Sequence, residues 1–251
     1  MTVDSHSAAA GRIGSARAGS RKRTNARPRV VSVVVVFTLR DQRLKVLLSR
    51  VPDRDRSELP TDPADGIAGD WTLPASEVAE NEALETCALR ALEEGTGLSG
   101  VYLEQLYTFG EPGREPHRRT IAVSYYALVP SERLQLRPPV TAAAIDWFAL
   151  DTLPPLVFDH GDIVRFARAR LAAKLDYSTI ALQFMPATFT LSELQQVYEQ
   201  ILDEPLDKRN FRKRILALDQ LDETGQTRRI GTHRPARLYK VRHPGAVHII
   251  K

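Results

Sequence analysis

Cysteine is nearly absent from this chain. The single Cys87 excludes an intramolecular disulfide and any zinc site built on cysteines. Long apolar runs are also missing: none approaches the roughly 18–20 residues that span a bilayer. No apolar segment follows the N-terminal charges, so a secretory signal is not expected. These absences point to a cytoplasmic protein without a membrane partner. Apolar residues make up 43% and charged residues 26% of 251, which permits a sizeable core in one large or two ordinary domains.

Charge of one sign is scarce at the two ends. The first 29 residues set Arg12, Arg17, Arg21, Lys22, Arg23, Arg27 and Arg29 against Asp4 alone. Residues 207–242 carry eleven lysines and arginines against Asp207, Asp219, Asp222 and Glu223. With a net charge of only +4, the body is close to neutral or acidic. A chain basic at its ends suggests a polyanionic partner there, with a solvated surface as the competing reading. Residues 1–28 are rich in Ser, Ala, Gly and Arg and are expected to stay disordered, because they bury too little apolar area to offset ordering.

From residue 29 the pattern is that of an α/β sandwich of α+β type with mixed strands. Residues 30–38, VVSVVVVFT, read as a strand buried on both faces. Strands are expected at 44–51, 71–73, 101–109, 120–129 and 142–148, with a long polar loop at 52–70. A helix starting at Asn81 or Glu82 carries Leu84, Cys87, Ala88, Ala91 and Leu92 at helical spacing and stops at Gly95 and Gly97. Cys87 reads as a small core residue.

A helix over 159–175 connects this domain, 29–158, to a second, 176–251. There Thr190 and Glu193 form a capping box before a helix with Leu191, Leu194, Val197, Tyr198, Ile201 and Leu202 on one face. A short turn leads to a helix over 207–218, then to a basic hairpin with a closing strand at 237–241. Helix, turn, helix and basic hairpin is the order of a winged helix-turn-helix. Phe211, Ile215 and Leu218 would dock the second helix, leaving Arg209, Asn210 and Lys213 outward, flanked by Arg212 and Arg214. Such side chains read base edges and hold phosphates in a major groove. Arg228, Arg229, His233, Arg234 and Arg237 would line the wing, and no Cys or His pair near His233 suggests a metal. The competing reading is a solvated face on a helical dimerisation domain.

The stretch 73–98, LPASEVAENEALETCALRALEEGTGL, resembles the Nudix box: glycine, five residues, glutamate, seven residues, then Arg-Glu-apolar-x-Glu-Glu-x-Gly-apolar. Glu82, Arg90, Leu92, Glu94, Gly97 and Leu98 match; Ser76 stands for the first glycine, and Ala91 and Gly95 stand for two glutamates. The resemblance implies that family members hold divalent cations on that carboxylate face to hydrolyse diphosphates. With one carboxylate of three left, Glu94, no divalent metal and no efficient hydrolysis are expected here. Glu82 and Arg90 are expected to pair within the loop–helix unit. Residues 109–129, FGEPGREPHRRTIAVSYYALV, are similar to the corresponding segment of ADP-ribose-type Nudix proteins, with Glu115 in place of an aspartate.

A Nudix-like domain followed by this winged domain resembles the Nudix-related transcriptional regulators of NAD metabolism, over about residues 30–242. The resemblance implies a homodimeric repressor of NAD biosynthesis or salvage genes, binding a palindromic double-stranded DNA operator. Its effector would be ADP-ribose or a related NAD metabolite, with no cofactor. Candidate effector contacts are Arg50, Arg114 and Arg118 for phosphates, Trp71 and Phe109 for a base, and Glu94 on the pocket floor. Two alternatives stand beside this. An active hydrolase with an accessory DNA domain would release AMP with magnesium, faster after Ala91→Glu and Gly95→Glu. A scaffold would bind RNA or acidic proteins through its basic ends.

Overall fold

The computed structural model describes residues 27–50, 71–116, 118–133, 144–229 and 235–250. The N-terminal tail up to residue 26, the 52–70 loop, His117 and the wing tip at 230–234 lie outside the described residues.

β1 (Arg29–Arg40) is the axis of the first domain. Alternation along it sends Val31, Val33, Val35 and Phe37 into one apolar cluster and Val34 and Val36 into another. Its valine run therefore has a buried face on each side, as its composition requires. β6 (Thr120–Val129) runs parallel to β1 from Arg29↔Thr120 to Thr38↔Val129, and β5 (Tyr102–Phe109) pairs antiparallel outside β6. The other side of β1 is divided. β4 (Ala75–Glu77) covers Val31–Val33, and β2 (Arg43–Arg50) covers Phe37–Arg40. β3 (Trp71–Thr72) and β7 (Ile145–Ala149) both pair with β2.

α1 (Leu84–Thr96) covers one face, burying Ala88, Ala91 and Leu92 against Val34, Val36, Leu47, Tyr125 and Trp147. It begins two to three residues after the start expected from the sequence, because Glu82 is used otherwise: its carboxylate accepts the Ala79 amide at 3.1 Å and pairs with Arg90. Gly97, at φ 75°, ends it, donating to the Glu93 carbonyl, whereas Gly95, also expected to stop it, lies within the last turn.

α2 (His160–Leu175) covers the other face with Ile163, Val164, Ala167, Leu171 and Leu175. The second domain continues the same apolar cluster. A 3-10 helix (Ile180–Phe184), α3 (Leu191–Leu202) and α4 (Lys208–Ala217) contribute Ile180, Leu194, Tyr198, Phe211 and Ile215 to it. The helix read as a connection is thus packed into both domains. The capping box forms: Thr190 Oγ1 accepts the Glu193 amide at 3.2 Å, and Glu193 accepts the Thr190 amide at 2.6 Å. The wing is β8 (Leu221–Arg228) and β9 (Ala236–Val241), and β9 also bridges Phe189 just before α3. β8 begins earlier than the hairpin read from the sequence, with Asp222–Gly225 inside it around a bulge.

Both ends of α2 are tied to the sheet domain. At its start, Arg114 donates to both Asp159 oxygens, at 2.9 and 2.6 Å. His160 Nδ1 accepts the Leu73 amide at 3.1 Å and lies 3.0 Å from Thr72 Oγ1. At its end, Lys174 donates to Glu104, which also accepts the Tyr126 hydroxyl at 2.8 Å.

Burial, and then the charge of Arg114, push the His160 imidazole down to about 4. A histidine depressed on folding stabilises the fold fully above its unfolded value, near 6.5, and loses that contribution as pH falls toward the folded value. We expect stability to fall between about pH 6.5 and pH 4, with His160 accounting for roughly 3 kcal/mol. His160→Asn, which keeps an acceptor but does not titrate, should flatten that slope in urea melts taken across the range; an unchanged slope would contradict the assignment.

Candidate functional site

The candidate site residues lie in both domains. In the first domain the 73–98 stretch forms a loop–helix frame held by Arg90. Its guanidinium donates to both Glu82 oxygens at 2.8 Å, to Glu94 at 3.2 Å and to the Glu77 carbonyl at 3.0 Å. The Arg90 pair and the Ala79 amide hold the Glu82 carboxyl down to about 2. This is the pairing expected from the sequence. Cys87 is buried and donates weakly to the Ser76 carbonyl, as a small core residue does.

The two substituted positions sit in different surroundings. Ala91 is 2% exposed within the apolar cluster under the sheet. Gly95 faces Pro74, and a Cβ there would meet only the Pro74 Cβ at an ordinary 3.5 Å. Pro74 follows Leu73, the residue held by His160 from the opposite side. Leu73 is thus tied to the start of α2, and Pro74 lies near Gly95 of α1.

The candidate effector contacts fall into separate places. Arg50 and Trp71 are cross-strand partners on β2 and β3. Trp71 packs edge-on against Phe148 at 4.7 Å, and its carbonyl accepts the Val157 amide just before α2. Phe109 closes β5 in an aromatic group with Tyr107 and Phe166 of α2. Trp71 and Arg114 are thus bound just before α2, through Val157 and Asp159, and Phe109 packs on Phe166 in its first half. Glu94 is on α1, beneath the opposite face, and paired with Arg90. Arg118 is exposed after the 110–116 loop. Arg114 corrects the expectation of a phosphate contact. Its side chain is 2% exposed and committed to Asp159 and Glu115. Removing one partner of such a buried pair costs about 3–5 kcal/mol, so its guanidinium serves the fold.

In the second domain α4 docks through Phe211 and Ile215. At ~100° per residue, Arg209 and Lys213 point most directly away from that docked side. Arg209, Asn210, Arg212 and Lys213 are all exposed. Lys208, Arg212 and Leu216 face the wing and line a groove of about 670 Å³ with Ser192 at the start of α3 and with Arg228, Ala236 and Arg237. Among its described lining residues the groove has four cationic side chains and no acidic one. Leu216, which fits no narrow apolar stripe in the sequence, is half exposed because it forms part of this wall.

Three of the expected contacts are bound within the fold. Arg214 Nη2 donates to the Leu175 carbonyl at 2.8 Å, and its guanidinium lies over the Tyr198 ring. Arg228 donates to Glu193 at 2.9 Å and to the Thr188 carbonyl at 3.1 Å, pinning the wing to the start of α3. Arg237 pairs with Glu223 across the hairpin. Arg214 is exposed, yet its guanidinium is engaged by α2 and α3, which helical spacing alone does not reveal. Arg228 and Arg237 still border the groove. Arg229 is exposed at the end of the wing, and His233 and Arg234 lie outside the described residues.

Two family models match the chain: a NUDIX domain over residues 28–166 and an NrtR DNA-binding winged helix domain over residues 181–241. An ADPR responsive transcriptional repressor, NtrR, from Acinetobacter baylyi is 36% identical over 174 residues, 68% of this chain and 69% of that protein. The crystal structure of Shewanella oneidensis NrtR complexed with a 27mer DNA has a TM-score of 0.72 at 34% identity, covering 85% of this chain and 93% of that one. A MutT/nudix family protein from Enterococcus faecalis has a TM-score of 0.69 at 25% identity, covering 87% and 88%.

The different surroundings of Ala91 and Gly95 make their substitutions separable. Ala91→Glu buries a carboxylate in apolar packing and should cost about 2–4 kcal/mol in chemical denaturation. Gly95→Glu should change stability by less than about 1 kcal/mol, since its Cβ has room and glycine is a poor helix former. Equal effects would contradict this placement of the two side chains.

Proposed function

The chain belongs to the Nudix-related transcriptional regulators, and from that premise we propose that it is a DNA-binding repressor whose Nudix-like domain senses ADP-ribose or a related NAD metabolite. The observation that carries this is the cationic groove between α4 and the wing, on a domain that shares its core with the Nudix-like sheet. Arg209 and Lys213 enter the major groove and read base edges. Lys208 and Arg212 of α4, and Arg229 of the wing, hold phosphates. Asn210 borders the reading face. The chain acts as a homodimer, so that two copies of α4 meet a palindromic operator. The regulated genes are those of NAD biosynthesis or salvage.

The Nudix-like domain binds its effector and leaves it intact. The donor set present does not fit a magnesium cluster. Hard cations need several oxygen ligands around one point, and here Ala91 lies in apolar packing, Gly95 has no side chain, and Glu94 is paired with Arg90. Among the described residues no group of three acidic, histidine or cysteine side chains converges. The frame's loop is instead braced by the Glu82–Arg90 pair. Trp71 and Phe109 offer aromatic faces to a base, and Arg50 and Arg118 offer guanidinium groups to a diphosphate.

The test is operator binding by mobility shift. Wild type should shift a palindromic operator but neither scrambled duplex nor RNA, with affinity falling steeply as salt rises. Arg209→Ala and Lys213→Ala should each lose about 1–3 kcal/mol of specific binding while the protein remains folded. Wild-type affinity in both variants would refute the reading face. Magnesium- or manganese-dependent release of AMP from ADP-ribose would refute the silent sensor.

A further inference from the structure

Arg214 lies on the helix expected to read DNA and is exposed, yet its guanidinium reaches back to α2 and α3. Its Nη2 donates at 2.8 Å to the carbonyl of Leu175, the last residue of α2. Carbonyls at a helix C-terminus lack intrahelical partners and carry the negative end of the helix dipole, so a guanidinium is well matched to them. The same guanidinium sits 5.6 Å from the centroid of Tyr198 on α3, whose ring packs on Phe211 of α4 at 5.2 Å. One side chain therefore ties the reading helix to α2 and to α3.

The other end of α2 meets the sensor frame. His160 Nδ1 takes the Leu73 amide, Asp159 takes both arms of Arg114, and the Val157 amide binds the Trp71 carbonyl. Between these ends α2 is a 16-residue helix, about 24 Å long. Ile163, Val164, Ala167, Leu171 and Leu175 are buried along it. A helix buried along its length moves as a body, because close-packed interiors shift between discrete arrangements and do not deform locally.

Resting on the sensing function proposed above, we propose that Arg214 is a positioning residue: it fixes α4 to the C-terminal end of α2, so that a displacement of the Trp71–Leu73 segment by effector reorients the reading helix. Arg214 touches neither DNA nor effector in this role. It transmits the state of one site to the other by holding α4 to a rod whose far end is hydrogen-bonded to the sensor frame.

The test uses the full chain with ADP-ribose as the probe. Operator affinity is measured by fluorescence anisotropy with and without ADP-ribose at several salt concentrations, and ADP-ribose affinity by calorimetry. In wild type the ratio of the two operator affinities should lie in the roughly 5- to 150-fold range of linked sites, and in Arg214→Met it should fall below about twofold. The variant should keep the wild-type affinity for ADP-ribose and the wild-type salt slope. Arg214→Lys, which can still donate to the Leu175 carbonyl, should recover part of the ratio. An undiminished ratio in Arg214→Met overturns the proposal. So does a loss of operator affinity with a salt slope smaller by about one, which marks a phosphate contact. If Arg214→Met does not fold, judged by circular dichroism and thermal melting, Arg214→Gln, too short to span both helices, takes its place with the same expected loss. If wild-type operator affinity itself ignores ADP-ribose, the sensing reading falls along with the proposal. If wild type responds and the variant responds equally, the positioning role alone falls.

Discussion

Burial of β1 on both faces is the constraint on which the rest of the molecule depends. Val34 and Val36 require a cover on one side, and α1 supplies it with the Ala88, Ala91 and Leu92 face. Val31, Val33, Val35 and Phe37 require a cover on the other, and α2 lies there with the second domain behind it. The winged domain is thus part of the packing that the sheet domain needs. Domains that meet across small polar interfaces move independently by default. Here a single apolar cluster runs from Val31 to Ile215 and Tyr239, so a change on one side of it is felt on the other.

The 73–98 stretch acquires its meaning from that arrangement. Its Glu82–Arg90 pair keeps the loop–helix geometry of a hydrolase frame, while Ala91 has joined the apolar packing beneath the sheet. A sensor that destroyed its effector would erase its own signal, so loss of ligand carboxylates is useful once the domain serves a repressor. The frame's entry point is tied to α2, where His160 accepts the Leu73 amide. Small movements at the frame therefore have a direct route to α2.

Local signals in the sequence located most elements, because each rests on a short-range rule. The β-branched run, the Thr190–Glu193 capping box, the Gly97 stop and the 120–129 strand all appear where periodicity and capping place them. The Glu82–Arg90 pair was legible because both residues belong to one motif. Long-range partners were not. Arg114 looked like a phosphate ligand until Asp159, forty-five residues on, claimed it. Arg214 flanks the reading face by helical spacing, and only the structure shows its guanidinium bound to the end of α2. Helical spacing shows which side a residue occupies, but not what another element brings to that side. The start of α1 was missed for a related reason: Glu82 favours a helix locally, yet its carboxylate is spent bracing the preceding loop.

In the proposed function one chain senses a nucleotide without consuming it and reports it at DNA. The most direct measurement titrates ADP-ribose into a preformed operator complex in the presence of magnesium, following DNA release by anisotropy while chromatography follows the nucleotide. A silent sensor gives saturable release with ADP-ribose recovered intact, and renewed binding once it is dialysed away. Operator binding that ignores ADP-ribose, or release that tracks the appearance of AMP, would contradict it.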